Sequence, residues 1–381
     1  MQNFDKPVDR TETDSIKWRK YHGRDIIPMW VADMDFESPP AVLESLHERI
    51  DHGIFGYALP DKQHRSAVVE YIRKQFRWNI SAQWIVWLPG VVSGLNVACR
   101  SVGDAGDSIV TAVPVYPPIL SAPKNWDRRL RTTRMIKTVD GWQLDMDDLE
   151  RALTPDACLF ILCNPHNPTG RVLRKAELEQ IAQYCLKRNL VICADEIHCD
   201  LVLEPGLHHI PIASLSPEIN QQTITLMAPS KTFNIPGLGC SFAIIANDAL
   251  RSQFKKSMNG IVPDVNVLGL TAARAAYQKG QPWLEALRRY LRANRNLVFQ
   301  RINAMPGLHM TPVEGTYLAW IDISQLNLSH PARWFEKAGI GLSDGRDFDG
   351  EGYLRLNFGC SQSLLTTGLD RMANAIEKRN G

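Results

Sequence analysis

Five short apolar segments, separated by stretches of helical periodicity, constrain the fold of this chain more than any other feature. They lie at residues 108–113, 157–163, 190–194, 223–228 and 242–246. The clearest helix between them is predicted at 175–188, where apolar residues recur at helical spacing. Strands that are apolar throughout are typical of a mostly parallel sheet covered by helices on both faces. The sequence therefore predicts an α/β fold built on such a sheet.

A change of pattern near residue 282 predicts a second, smaller α+β domain. The chain has 381 residues, enough for about two domains. After residue 282 a long helix is followed by two strands and two helices, predicted at 283–305, 316–323, 331–338, 352–358 and 361–378. We expect the N-terminal arm, residues 1–45, to join this small domain. The large domain is then residues 46–281, and the C-terminal small domain is residues 282–381.

The charge of the chain gives no electrostatic reason to expect a nucleic-acid or membrane partner. The net charge is +2, from 43 basic and 41 acidic residues. The densest basic run, residues 128–134, has no interleaved aromatic residues and is interpreted as a solvated strand edge. The arginines at 288, 292 and 295 are interpreted as the solvent face of the long helix.

The cysteines indicate a cytoplasmic protein. Eight cysteines are scattered without CxxC spacing, and several lie in apolar runs, which favours reduced, buried thiols over disulfides or a zinc site. The ten histidines have no metal-ligand spacing, so no metal is expected. The first residues lack the apolar core of a signal peptide, and no run approaches 18 apolar residues.

A Ser230-Lys231 pair follows the apolar run at 223–228. A lysine just beyond a buried strand is partly desolvated, so its neutral amine becomes accessible and can form a Schiff base with a carbonyl. Pro236 and Gly237 predict that the pair lies in a loop. An ordinary surface lysine is the alternative interpretation of this pair taken alone.

Residues 85–96 predict a strand, a tight glycine turn at Gly90 and the start of a helix. Free backbone N–H groups and the positive end of the helix dipole suit a phosphate there, although an ordinary turn has the same pattern. Polar residues also follow the other predicted strands, at the edge where open parallel sheets bind ligands. These residues are Tyr116, Asn164, Asn167, Asp195, His198, Ser230 and Lys231.

Three motifs, in this order and at these separations, resemble the fold-type I enzymes that depend on pyridoxal 5′-phosphate (PLP), the aspartate aminotransferase superfamily. They are Asn-Pro-His-Asn-Pro-Thr-Gly at 164–170, Ala-Asp-Glu-Ile-His at 194–198 and Ser230-Lys231. The stretches at 30–36, 52–57 and 231–238 are similar to the MalY/PatB-type cystathionine β-lyases, also called C–S lyases. The resemblance covers nearly the whole chain and implies the PLP-dependent transferase fold, with a mostly parallel sheet of the seven-stranded type.

The resemblance implies that PLP is the cofactor and that Lys231, Asp195 and Tyr116 are the catalytic residues. Lys231 would bind PLP covalently, and its freed amine would then move the substrate Cα proton. Asp195 would pair with the pyridine nitrogen and keep the ring an electron sink. Tyr116 would stack on the ring, Ile197 would pack on its other face, and Asn167 would bond its O3′ oxygen.

The remaining cofactor contacts implied by the resemblance concern O3′ and the phosphate. His198 stands where many relatives have a tyrosine near O3′, and a purely structural histidine is the alternative. The phosphate would be bound by the amides of Val91 and Val92 and by the hydroxyl of Ser230. Tyr57 would reach the same phosphate from a second subunit, which implies a homodimer with shared sites.

For the substrate, the resemblance implies that Arg355 binds the α-carboxylate with two hydrogen bonds. The backbone of Val31, Ala32 and Asp33 would face the same carboxylate. One departure concerns Gly239, which stands eight residues after the lysine, where many aminotransferases carry an arginine for the phosphate. This departure favours a lyase over an aminotransferase.

The expected function is α,β-elimination from L-cystathionine or a related thioether amino acid, giving a thiol such as homocysteine together with pyruvate and ammonia. Such a reaction would belong to methionine metabolism. An aminotransferase on the same scaffold is the first alternative, because both reactions begin with loss of the Cα proton. A lyase that also binds and modulates a transcription activator is the second, although no sequence feature identifies a surface for it.

Overall fold

A computed structural model describes residues 3–139 and 141–380. The helices of these residues, in chain order, are α1 Ile16–Arg19, α2 Pro40–Asp51, α3 Lys62–Phe76, α4 Val91–Ser101, α5 Pro117–Ser121, α6 Met146–Ala152, α7 Lys175–Lys187, α8 Pro217–Gln221, α9 Pro229–Thr232, α10 Asp248–Met258, α11 Val267–Lys279, α12 Gln281–Asn303, α13 Pro331–Lys337 and α14 Gln362–Asn380. The strands are β1 Ile27–Pro28, β2 Ile85–Leu88, β3 Ser108–Val113, β4 Arg129–Thr138, β5 Gly141–Leu144, β6 Ala157–Cys163, β7 Val191–Asp195, β8 Thr223–Met227, β9 Ser241–Ile244, β10 Leu318–Asp322, β11 Ile340–Gly341, β12 Ser343–Asp344 and β13 Tyr353–Asn357.

The central sheet has the strand order β2-β9-β8-β7-β6-β3-β4-β5. Strands β8, β7, β6, β3 and β4 run parallel, whereas β9 is antiparallel to both of its neighbours, and β5 pairs antiparallel with the last residues of β4. The prediction of a mostly parallel sheet is confirmed. The five predicted strands are present to within two residues at either end, and β4 and β5 were not among them.

The register of the parallel strands brings their carboxyl ends to one edge of the sheet. Cys163 at the end of β6 is opposite Asp195 at the end of β7, and Asp195 is opposite Leu226 of β8. The amide of Asn164 donates to the carbonyl of Asp195 at 3.0 Å, and that of Glu196 donates to Leu226 at 3.0 Å. The loops that carry the predicted site residues therefore leave the sheet side by side.

Apolar side chains alternate between the two faces of the sheet, and helices cover both faces. Ile109, Ile161 and Cys193 pack on one side with residues of α4 and α10. Their chain neighbours Val110, Phe160 and Ile192 pack on the other side with residues of α6 and α7. Burial on both faces explains why these strands are apolar throughout.

A smaller set of strands and helices follows the long helix α12. Strands β10, β13 and β12 form an antiparallel three-stranded sheet, and β1 of the N-terminal arm pairs in parallel with β11. The arm is thus hydrogen-bonded to the C-terminal part of the chain. This pairing agrees with the predicted grouping of the arm with the small domain, and the domain boundaries themselves stay a prediction.

Two local predictions are wrong. Lys231 lies in the one-turn helix α9, with Pro229 at its first position, and not in a loop. The arginine stripe of α12 does not face solvent. Arg292 donates to the carbonyl of Leu203 at 2.7 Å, and Arg295 donates to the carboxylate of Glu204 at 2.7 Å. Arginine stems pack against protein while the guanidinium groups bond carbonyl and carboxylate oxygens, so a regular arginine spacing also fits an interior face.

The basic segment 129–134 is a solvated strand edge, as interpreted. There β4 pairs only with β3, and its arginines are exposed. Arg128, just before the strand, is the exception, since it is buried and donates to the carbonyls of Cys99 and Gly103 at 3.0 and 2.7 Å. Seven of the eight cysteines are buried. Within residues 3–139 and 141–380 no helix combines the length and apolarity needed to span a bilayer.

Candidate active site

A cavity of about 440 Å³ opens at the carboxyl ends of the parallel strands. Most of the predicted site residues line it, namely Ala32, Val91, Val92, Tyr116, Asn167, Asp195, Ile197, His198, Ser230, Lys231 and Arg355. Two do not. Tyr57 is fully exposed, and the carboxylate of Asp33 is paired with Arg10 at 2.9 Å.

Lys231 projects into the cavity from α9. Its Nζ donates to the carbonyl of Ala32 at 2.6 Å, and the hydroxyl of Tyr317 donates to the same carbonyl at 2.8 Å. Burial lowers the pKa of Lys231 to about 8, an effect that Asp33 opposes and Arg355 reinforces. A neutral amine is therefore accessible near neutral pH, as a nucleophile toward an aldehyde requires.

Asp195 ends β7 and is 3% exposed. Burial raises the pKa of its carboxyl to about 6, although the amide of Ile197 donates to Oδ1 at 3.2 Å and favours the ionised form. A buried carboxylate with this little compensation is ready to accept a cationic N–H partner. The neighbouring His198 is also buried, and burial together with Lys231 and Arg355 lowers its pKa to about 3. A neutral imidazole therefore faces the cavity.

The helix α4 starts at the cavity, directly after β2. Gly90 is its N-cap in an extended conformation, and Val91, Val92 and Ser93 of the first turn line the cavity. Backbone N–H groups of a first turn have no partner within the helix, and the dipole favours an anion there. Gly239 lies beside this turn with a positive φ of 58°, and an added Cβ would be 3.3 Å from the carbonyl oxygen of Pro89. The backbone at position 239 thus favours glycine over the arginine of many aminotransferases.

Arg355 reaches the cavity from β13 and is 5% exposed. Its Nη2 donates to the carbonyl of Trp30 at 2.7 Å, and its Nη1 donates to Oδ1 of Asn167 at 3.0 Å. The Nε atom is buried without a hydrogen-bond partner. Burial lowers the pKa of Arg355 to about 10, so the guanidinium is still charged at neutral pH. The side chain is oriented from two sides and retains donor capacity for a carboxylate.

The structure adds cavity residues that sequence reasoning missed: Trp30, Cys163 and Cys240, with Tyr317 behind Ala32. Trp30 adjoins Val31 in a motif that the sequence analysis had singled out, so it could have been found. No sequence signal separated the two cysteines from the other buried cysteines. Asp33 is not among the residues that line the cavity; its amide bonds the carbonyl of Val31 and its carbonyl accepts from Asn357.

These residues fit the PLP cofactor that the resemblance implies. Lys231 supplies an amine for an aldehyde, and the first turn of α4 supplies amides for a phosphate. Asp195 supplies a carboxylate for a pyridinium, and Tyr116 and Ile197 supply apolar surface for a ring. The buried Nδ1 of His198 has no partner, in keeping with a cavity that holds a polar group.

Comparison with known proteins places the chain in a family. The model of the family described as aminotransferase class I and II matches residues 24–372. Cystathionine β-lyase PatB of Bacillus subtilis (strain 168) is 38% identical over 387 residues, which cover 98% of this chain and 100% of the relative.

Two solved structures extend the comparison. The crystal structure of OvoB has a TM-score of 0.96 and 46% identity, covering 98% of this chain and 99% of OvoB. Cystalysin from Treponema denticola, whose structure contains pyridoxal 5′-phosphate, has a TM-score of 0.95 and 31% identity, with each chain covered in full. The chain therefore belongs to the aminotransferase class I and II family of fold-type I PLP enzymes, and within it to the MalY/PatB-type C–S lyases.

Proposed function

We propose that this protein is a PLP-dependent C–S β-lyase that converts L-cystathionine or a related thioether amino acid to a thiol, pyruvate and ammonia. The observation that carries the proposal is one cavity in which Lys231, Asp195 and Arg355 meet beside the free first turn of α4. The name of PatB and the glycine at position 239 favour a lyase over an aminotransferase. A cytoplasmic site of action is part of the proposal, and it is supported by the eight free cysteines, seven of which are buried.

Each residue has a definite task in this reaction. Arg355 orients the amino acid by its carboxylate. Lys231 removes the proton from Cα, because burial lowers the pKa of its amine and makes the neutral form accessible. When bound, PLP supplies the electron sink for the charge left at Cα. Asp195 would keep a proton on the ring nitrogen, and Asn167 and His198 would bond the ring oxygen. The electron pair at Cα forms the Cα–Cβ double bond while the Cβ–S bond breaks, and the thiolate leaves.

The overall stoichiometry gives a direct test against the aminotransferase alternative. A lyase consumes one water per thioether and releases thiol, pyruvate and ammonia without another substrate. An aminotransferase needs a keto acid to complete its cycle. We therefore expect the purified holoenzyme to form pyruvate and free thiol from L-cystathionine in equal amounts with no keto acid added. Turnover that appears only when a keto acid is supplied would contradict the lyase assignment and support the aminotransferase alternative.

Lys231→Ala tests the assigned base. The variant should bind PLP without a covalent bond, so borohydride should not fix the cofactor to the chain, and activity should fall by at least about 10²–10⁴-fold. Lys255→Ala, on the exposed side of α10, is the matched control and should behave like the wild type. Wild-type turnover by a folded Lys231→Ala protein is incompatible with the assignment.

We further propose a homodimer in which Tyr57 completes the partner's phosphate site. Tyr57 lies in an exposed run without helix or strand, together with exposed apolar side chains at Ile54, Phe55 and Leu59. Such a contiguous apolar surface is typical of an interaction site. A hydrogen bond from a hydroxyl to phosphate contributes about 1.5–3 kcal/mol. The Tyr57→Phe variant should therefore bind PLP about tenfold or more weakly than the wild type.

A mixing experiment tests the sharing of sites. Tyr57→Ala chains and Lys231→Ala chains are combined under conditions where subunits exchange. If the sites are shared, each mixed dimer has one site with both side chains intact, and random pairing should restore about a quarter of wild-type activity. Exchange without recovery would mean that Tyr57 does not act across the interface.

A further inference from the structure

The segment of residues 30–36 lines the active site although it contains neither helix nor strand. Its carbonyl oxygens are bound by side chains. Trp30 accepts from Arg355 at 2.7 Å, and Ala32 accepts from Lys231 at 2.6 Å. The two side chains that would bind the substrate carboxylate and move its proton are thus oriented by this segment. No backbone ladder fixes the whole segment. Side chains hold it instead: Asn357 donates to the carbonyl of Asp33 at 2.6 Å, Asn234 donates to the carbonyl of Phe36 at 2.7 Å, and the N-terminal arm binds its carboxylates.

The outer side of the segment is held by the N-terminal arm. The carboxylate of Asp35 accepts three hydrogen bonds, from Lys17 at 2.6 Å, Arg10 at 2.7 Å and the indole N–H of Trp18 at 2.9 Å. Arg10 also bonds Asp33 at 2.9 Å. Lys17 is 1% exposed, which is rare for a lysine.

The arm also balances the charge of the segment. Asp33 and Asp35 bring two negative charges to the segment just behind its cavity-lining residues, and Arg10 and Lys17 bring two positive charges. The charged groups that act on Lys231 are Asp33, Arg355 and Asp195. Removal of Lys17 would leave net negative charge beside the site. It would also remove the bond to Oδ2 of Asp35, because Arg10 and Trp18 both donate to Oδ1.

We propose that Lys17 is a positioning residue of the reaction, which holds the 30–36 segment through Asp35 so that the carbonyls of Trp30 and Ala32 orient Arg355 and Lys231. Lys17 touches neither cofactor nor substrate, and it acts on carboxylate binding and on the charge near the amine. For turnover, the proposal rests on the proposed lyase function.

The test compares Lys17→Met with Lys6→Met in the holoenzyme. Methionine keeps an unbranched apolar stem and removes the charge. Lys6 is on the same arm in an exposed pair with Glu37, so its substitution is the matched control. Thermal unfolding, kcat and KM for L-cystathionine, and the pH titration of the bound cofactor's absorbance are measured for each protein.

For Lys17→Met we expect KM to rise about tenfold with a smaller change in kcat, because misplacement of a positioning group by a fraction of an ångström weakens binding of the carboxylate. The absorbance titration should move to higher pH, because the uncompensated carboxylate favours the protonated form of the nitrogen on Lys231. Lys6→Met should match the wild type in every measurement. A folded Lys17→Met protein with wild-type KM and titration would overturn the proposal.

Trp18→Phe covers the case in which Lys17→Met does not fold. It removes one donor to Asp35 while keeping an aromatic ring, and it should shift KM and the titration in the same directions by smaller amounts. If Trp18→Phe folds and leaves both unchanged, the proposal is wrong. If wild-type enzyme does not turn over cystathionine, the lyase proposal fails, and the absorbance titration still decides the role of Lys17.

Discussion

Replacing Arg355 by lysine separates the charge of this side chain from its geometry. The arginine already donates one hydrogen bond to the carbonyl of Trp30 and one to Asn167. Its buried Nε has no partner. A lysine keeps the positive charge but offers donors on a single atom. It cannot serve Trp30, Asn167 and a substrate carboxylate with the same geometry.

The expected loss follows from the bonds that lysine cannot replace. A hydrogen bond to a charged group contributes about 1.5–3 kcal/mol, and Arg355→Lys should lose one such bond to the carboxylate. At about 1.4 kcal/mol per factor of ten, kcat/KM should fall about 10- to 150-fold. Most of the loss should be in KM, since the carboxylate is bound equally before and during proton transfer.

The assay is initial-rate pyruvate formation from L-cystathionine by the holoenzyme. Arg346→Lys is the matched control, because Arg346 is half-exposed and paired with Asp344 at 2.7 Å away from the cavity lining. A second measure compares the competitive inhibition constants of a thioether amino acid and of the corresponding amine that lacks the carboxylate. The variant should lose affinity only for the carboxylate form. Equal losses for both forms, or an unchanged KM, would refute the role of Arg355.

Two further predictions concern buried ionisable groups. Asp195→Asn should lower kcat about 10- to 150-fold through loss of one charge-assisted bond. The same variant should nevertheless stabilise the cofactor-free protein above about pH 6. Burial raises the pKa of Asp195 to about 6, so its ionisation lowers the free energy of unfolding of the wild type, and asparagine avoids this loss. Urea unfolding between about pH 4 and 8 measures the difference, and equal stability curves would contradict it. Burial lowers the pKa of His166 to about 3, so the unfolded chain takes up a proton below about pH 6.5 that the folded chain refuses, and stability should fall as pH drops toward 3 by up to about 1.4 kcal/mol per unit. His166→Gln should reduce this slope in urea unfolding, and an unchanged slope would exclude His166 as its source.

The sheet could be predicted because its strands are buried on both faces and are therefore apolar at every position. For the same reason the ends of the strands, and with them Asn167, Asp195 and Lys231, could be located before the structure. Strand β4 was recognised only as a solvated edge at 128–134 and not as a strand of the apolar sheet, because it pairs on one side only there and its arginines are exposed.

The parts of the site that could not be predicted depend on contacts between distant segments. The bonds of Ala32 to Lys231 and Tyr317 join three parts of the chain. The inward arginines of α12 are indistinguishable by spacing from a solvent-facing stripe, because the carbonyls that accept their bonds lie on a loop about ninety residues away. Pattern along one segment carries no information on such partners.

The antiparallel direction of β9 has a consequence for how the active-site lysine is held. Since β8 and β9 are adjacent and antiparallel, the chain leaves the sheet after Met227 and re-enters it at Ser241 on the same edge. Residues 228–240 thus form a connection whose two ends are fixed by the hydrogen bonds between adjacent strands. Lys231 lies near the beginning of this connection. The Lys231 amine is therefore carried by a short backbone connection that is anchored to the sheet at both ends. This anchoring supports the proposed role of Lys231, since an amine displaced from a carbonyl would remain beside the cavity and could act as the base.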